Sequence, residues 1–279
     1  TLPEVADDQD AIWAMKVCGS LLLNTMFKVH IKKAIPLPAS MFVVLVGKPG
    51  RRKSGLLSRV RTATTGTWIA SYQKATPERL GEFIEANPTG ILLWDEFEEV
   101  IKRREGYLST LSNKLNQWYY SQADSHQTKT SGGYTLTDGS YYLSCLFDCT
   151  DVQWNRAESG FGGGFERRFL PVHLTKLVSP FEETEYDRRA EELLVEIQQI
   201  IEAVKDIRID IGFTGLKQYE SEFKDRLGDT SDFIKACEYF QYIIAAYVID
   251  SIVDFDHIIS YITSGGTPSS DSLMRCHVI

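Results

Sequence analysis

The sequence predicts an α/β fold, a parallel-sheet core with a helix before it and a helical lid region after it, on three observations. Short, uninterrupted apolar runs such as Met41–Val46 and Ile91–Trp94 read as strands buried on both faces, the signature of a parallel sheet. Stretches with apolar residues at helical spacing alternate with those runs. From residue 186 onward only helical patterns remain. Alternation followed by an all-helical region is the mark of an α/β core with an appended helical part.

Between residues 10 and 30, Ile12, Trp13, Met15, Val17, Cys18, Leu21, Leu22 and Met26 recur at helical spacing, and Pro36 and Pro38 close that element. The strand 41–46 is followed by a glycine-containing turn and a helix over 54–60. A second helix is expected over 77–86, N-capped by Thr76 and stopped by Asn87-Pro88-Thr89-Gly90. Strand 91–94 leads to a helix over 108–120, with apolar or aromatic residues at 108, 111, 115, 118 and 119. The polar stretch 124–131, Gly132-Gly133 and the alternating Tyr134-Thr135-Leu136-Thr137 suggest a β-hairpin. Further strands are expected over 141–147 and 169–174, and Pro171 favours the end of the latter or an edge position for it. Helices follow over 186–207, 213–228 and 231–253. The chain thus divides into an N-terminal helical segment (1–38), a sheet core (39–178) and a helical lid region (179–254).

Composition narrows the function classes. With 43% hydrophobic and 24% charged residues, a disordered or collagen-like chain is excluded. No apolar run approaches the ~20 residues of a membrane-spanning helix, so no membrane partner is expected. The acidic start Thr1–Asp8 lacks the basic region of a signal peptide, and without an initiator Met it reads as part of a longer chain. Net charge of −8 argues against a uniformly basic nucleic-acid coat but leaves room for a local basic channel. The five scattered cysteines (Cys18, Cys145, Cys149, Cys237 and Cys276) read as buried free thiols of a reducing, cytoplasmic compartment.

The stretch Val46-Gly47-Lys48-Pro49-Gly50-Arg51-Arg52-Lys53-Ser54-Gly55 carries the chemistry. A phosphate-binding loop needs a glycine-bearing turn whose N–H groups wrap phosphate oxygens. It also needs a Lys for the β/γ-phosphates and a Ser or Thr hydroxyl for Mg²⁺ at a helix start. Gly47, Gly50, Lys53 and Ser54 have that spacing, after an apolar strand and before a helix; Arg52 stands where a glycine is usual. Residues 47 and 49–55 are therefore the expected ATP-binding loop. The run Leu92-Leu93-Trp94-Asp95-Glu96 ends a strand in two carboxylates. Asp95 would hold Mg²⁺ through water, and Glu96 would orient or deprotonate the attacking water. After the strand 141–147 comes Asp148-Cys149-Thr150-Asp151, with Thr150 chosen to reach the γ-phosphate or the lytic water. The glycine-rich Gly160–Gly164 tract runs into Glu166-Arg167-Arg168-Phe169. It would deliver Arg168 as an arginine finger to a neighbouring site.

On these residues the chain resembles AAA+ P-loop ATPases of the superfamily 3 and MCM-like helicases, most nearly the helicase-like ATPases of plasmids, viruses and integrated elements. The resemblance runs from residue 10 to 262 and rests on the loop 47–54, the helix start Ala75–Glu78, Asn87–Gly90, the strand 91–96, the hairpin, the strand ending near Thr150, and Arg167-Arg168-Phe169. It implies ATP and Mg²⁺ as cofactors, a homo-oligomer of six subunits, and single-stranded or forked DNA as partner. In that family a hairpin before the sensor strand grips DNA in a central pore. Here it maps to 124–142, with His126, Lys129 and Tyr134 as candidate contacts and Lys102-Arg103-Arg104 as a second group. Residues 255–279 resemble the start of a winged helix cut off before its recognition helix. Three functions remain open at this point: a DNA helicase or translocase of a mobile replicon, a AAA+ remodelling or packaging ATPase, and a nucleotide-binding regulator with weak turnover.

Overall fold

A computed structural model describes residues 9–26, 30–32, 37–38, 40–51, 53–63, 69–71, 76–95, 97, 111–127, 132–158, 168–175, 195, 199 and 210–212. The first apolar stripe winds into α1 (Gln9–Met26), which buries Ala14, Val17, Cys18 and Leu21 on one face. Two short strands follow, β1 (His30–Lys32) and β2 (Leu37–Pro38). The run Phe-Val-Val-Leu-Val becomes β3 (Phe42–Val46), buried at every position as a two-sided strand must be.

After β3 come α2 (Lys53–Ala63), β4 (Ile69–Ser71) and α3 (Pro77–Ala86). Thr76 caps α3 as expected, its hydroxyl accepting the Arg79 N–H at 3.2 Å. Next are β5 (Ile91–Trp94) and α4 (Leu111–Tyr119), whose buried stripe is Leu111, Leu115, Trp118 and Tyr119. The predicted hairpin is present as β6 (Asp124–Gln127) antiparallel to β7 (Gly133–Leu136). The chain then forms β8 (Ser144–Cys149), α5 (Asp151–Glu158), β9 (Phe169–His173) and β10 (Asp210–Gly212). The small strand β10 joins β1 in parallel, while β2 pairs with β1 antiparallel.

The main sheet has five strands in the order β4-β5-β8-β3-β9, and all four pairings are parallel. The chain is therefore an α/β fold with a parallel sheet and flanking helices. Pro171 is tolerated because β9 is an edge strand and needs no N–H on its outer side. From β3 the chain crosses to the far edge at β4, whereas from β8 it crosses β3 to reach β9. Right-handed crossovers in opposite directions put their helices on opposite faces, which opens a crevice at the carboxyl ends of β3 and β8.

Two expectations shift. The strand read at 141–147 lies at 144–149, because Ser144 is the residue that pairs with Ile91 and the ladder continues to Cys149. Tyr141 is buried for another reason: it underlies the hairpin, its hydroxyl donating to the Gln122 carbonyl at 2.6 Å. The strands β1, β2, β4 and β10 and the helix α5 were not expected, and β10 corrects the reading that only helical patterns follow residue 186. The helices read over 186–253 and the segment 255–279 lie outside the described residues, apart from 195, 199 and 210–212.

Beneath the carboxyl edge, Phe97 stacks on Phe147 with centroids 4.6 Å apart, and Phe169 tilts against both at 5.2 and 5.6 Å. Each such pair adds ~0.5–1.5 kcal/mol beyond its buried area. The Phe97 N–H also donates to the Asp148 carbonyl at 2.9 Å, so the turn that carries Asp95 is tied down on its far side. Cys18, Cys145 and Cys149 are buried free thiols, and burial pushes Cys18 up to about 12. None of the described helices is long and apolar enough to cross a membrane.

Candidate functional site

The turn after β3 is fixed from both neighbours. The Gly47 N–H donates to the Cys149 carbonyl of β8 at 3.2 Å, and Leu174, just past β9, donates to the Val46 carbonyl at 2.8 Å. Gly50 has φ +79°, a conformation side chains rarely adopt, which accounts for the glycine at that place in the turn. Lys53 opens α2 and is only 9% exposed; its ammonium donates to the Gly47 and Lys48 carbonyls at 2.7 and 3.1 Å. No acidic residue stands in the first turn of α2. Exposed Lys48 and half-buried Arg51 add positive charge to the free N–H groups of a helix start, an arrangement that favours an anion. Arg52 lies outside the described residues.

Strand register brings the carboxylates to this turn. Leu45 is level with Asp148, and Trp94 with Phe147, so Asp95 and Asp148 follow each other across adjacent strands. Asp95 is half-buried and Asp148 is 4% exposed. The Ser54 hydroxyl donates to Asp148 Oδ2 at 3.3 Å, long for such a bond but within reach. Glu96 lies outside the described residues. Oxygen donors from Ser54 and Asp95, with Asp148 accepting from the Ser54 hydroxyl, fit a hard cation such as Mg²⁺. Mg²⁺ normally takes one or two carboxylates and shares the rest with phosphates and water.

Thr150 caps a helix. Its hydroxyl accepts the Gln153 N–H at 3.3 Å, and Gln153 Oε1 accepts the Thr150 N–H, a reciprocal capping box that starts α5. Asp148, two residues earlier, is the polar group of β8 that faces the turn, and the sequence reading passed over it. Arg168 immediately precedes β9, with its guanidinium 5.1 Å from the Tyr120 ring centroid. Because Phe169 is level with Phe42, Arg168 lies at the amino edge of the sheet, opposite the turn.

The hairpin is seated on α3 and α4. Asp124 accepts hydrogen bonds from Lys114, from Trp118 Nε1 at 2.9 Å and from the Tyr134 hydroxyl at 2.7 Å. Burial alone would raise the Asp124 pKa, but these donors outweigh it and hold the carboxyl below its ordinary value. Tyr134, read as a base-stacking residue, instead faces inward: it is 2% exposed with its ring on the α3 backbone at Gly81. Period-two alternation puts Tyr134 and Leu136 on the same buried face. His126 is half-buried and stacked on Tyr134 at 6.3 Å. Lys129 and Lys102-Arg103-Arg104 lie outside the described residues. An open depression of about 280 Å³ lined by Glu85, Gln127, Gly132 and Tyr134 adjoins the hairpin, away from the Gly47 turn.

Gly81→Ala tests this seating. Alanine gains ~1 kcal/mol of helix propensity over glycine. Its Cβ would however sit 2.1 Å from Tyr134 Cε1 and 2.3 Å from Cζ, and overpacking of that kind costs about 1–3 kcal/mol or more. A thermal melt is expected to show a lower Tm; an unchanged or raised Tm would mean that Tyr134 does not rest on α3.

The described site is thus a glycine-bearing turn, a buried lysine at a helix start and two carboxylates on one sheet edge. No protein-family model matches the chain, and no curated protein shows significant similarity to it.

Proposed function

We propose that the chain is an ATP-hydrolysing, ring-forming DNA helicase or translocase of the AAA+ type resembling the superfamily 3 and MCM-like enzymes, serving replication of a mobile element, plasmid or virus. One observation carries the ATPase part: the carboxyl ends of β3, β5 and β8 converge, so that the Lys53 and Ser54 turn meets Asp95 and Asp148. In this reading the turn and the α2 start hold the phosphates, and Lys53 neutralises their charge. Ser54 and Asp95 would hold Mg²⁺, which when bound would screen the β- and γ-oxygens. Glu96 orients or deprotonates the attacking water, and Arg168 completes a neighbour's site.

The DNA part rests on the resemblance and on a hairpin with a firm base. A AAA+ remodelling or packaging ATPase is the second reading, favoured by the inward-facing Tyr134, which is not available to stack on a base. The test is ATPase turnover with and without single-stranded DNA, repeated with Glu96→Gln. DNA-stimulated turnover with strand displacement supports the helicase, and turnover indifferent to DNA supports the second reading. Glu96→Gln is expected to keep Mg-ATP binding and lower turnover by about 10²–10⁴-fold, the contribution of a general base. Loss of Mg-ATP binding in that variant would make Glu96 a structural residue or metal ligand instead.

A further inference from the structure

A hydroxyl that offers lone pairs to a cation must send its proton to an acceptor on the other side, and that acceptor decides which way the lone pairs face. For Ser54 the acceptor is Asp148 Oδ2, 3.3 Å away, on β8 rather than on the strand that ends in Asp95. Asp148 is 4% exposed, and its place in β8 is already fixed by backbone pairing with β3 and by the Phe97 N–H. Its side chain is therefore not required by the ladder, yet a carboxylate is kept at this depth and turned toward α2.

We propose that Asp148 is a positioning residue for metal-bound nucleotide: it accepts the Ser54 hydroxyl's hydrogen bond and so aims the Ser54 oxygen at the cation. The inference rests on the nucleotide-binding reading above. Among the described residues no three His, Cys, Asp or Glu side chains gather into a metal cage. A cation shared with ligand phosphates, and steered by the orientation of one hydroxyl, agrees with that.

The test titrates a fluorescent ATP analogue against the wild-type protein and variants, once with Mg²⁺ and once with EDTA. Asp148→Ala is expected to lose about 10–100-fold of the Mg²⁺-dependent affinity, the usual effect of removing a ligand's hydrogen-bond partner. Affinity in EDTA should stay near wild type. Asp148→Asn should restore most of the loss, because its amide oxygen accepts the same bond. The double variant Ser54→Ala/Asp148→Ala should be no weaker than Ser54→Ala alone, since both remove one interaction. Should Asp148→Ala fail to fold, Asp148→Leu, which branches at the same carbon as Asn but has no acceptor, gives the same comparison. A full Mg²⁺ response without an acceptor at 148, or additive losses in the double variant, overturns the proposal. Wild-type protein that binds no nucleotide in either condition removes the nucleotide reading, and this inference with it.

Discussion

Lys53→Ala is expected to abolish measurable ATP hydrolysis and to weaken nucleotide binding. Lys53 is nine-tenths buried and its ammonium is bonded to the Gly47 and Lys48 carbonyls, so it already stands inside the turn that would receive the phosphates. Removing it takes away the only cation of the turn held at that depth among the described residues. A single preorganised electrostatic contact is worth about 10²–10³-fold in turnover, and loosening of the turn adds to that. The substitution also leaves two loop carbonyls without their charged donor, at ~1.5–3 kcal/mol for a bond to a charged group. A melt and a binding isotherm separate these effects. Near-normal turnover in the variant would remove the phosphate-loop assignment.

Arg168→Ala should lower turnover by ~10³-fold or more, the range for arginine fingers, while ATP binding survives. If Arg168 acts on a phosphate, the turn it serves is a neighbour's, because its own is out of reach. Arg168 stands one residue before the level of Phe42, and the Gly47 turn begins five residues beyond it. At ~3.3 Å per residue the two are about 16–20 Å apart along the strand direction, too far for one side chain to bridge. The Tyr120 ring holds the guanidinium at 5.1 Å, a contact worth ~0.5–2 kcal/mol, so the arginine is steadied at the edge rather than trailing from it. Mixing Arg168→Ala with Lys53→Ala protein should recover part of the activity, because one interface then joins an intact turn to an intact arginine. Donor and acceptor at opposite ends of a subunit make a head-to-tail contact, which closes into a ring when its rotation allows. Full ATPase activity from a strict monomer at all concentrations would defeat this assignment.

The elements were legible where the signal is local. Thr76, Pro77 and Asn87-Pro88-Thr89-Gly90 bounded α3 to the residue, and the apolar runs marked β3 and β5. Ile69–Ser71 was too short a run to register, although it forms an edge of the sheet. The role of Thr150 was readable in principle, since Thr150-Asp151-Val152-Gln153 has the capping-box spacing. Likewise, the alternation of Tyr134 and Leu136 around Thr135 already put Tyr134 on a buried face. The Ser54–Asp148 bond was not readable, because it depends on the register of two strands far apart in sequence. No local pattern encodes that register.

The strand order also bears on how the chain is made. β3 is the most apolar strand of the sheet, yet its two partners, β8 and β9, pair with it at Cys145 and Phe169, each more than ~100 residues later. At about 5–20 residues per second of synthesis, Phe42–Val46 emerges some 5–20 s before any strand can cover its edges. Over that interval an unpaired Phe-Val-Val-Leu-Val segment, without a charge or a proline, is the nascent chain's most adhesive stretch. The order that gathers the candidate site at one edge therefore exposes the centre of the sheet to chaperones, or to other nascent copies, for those seconds of translation.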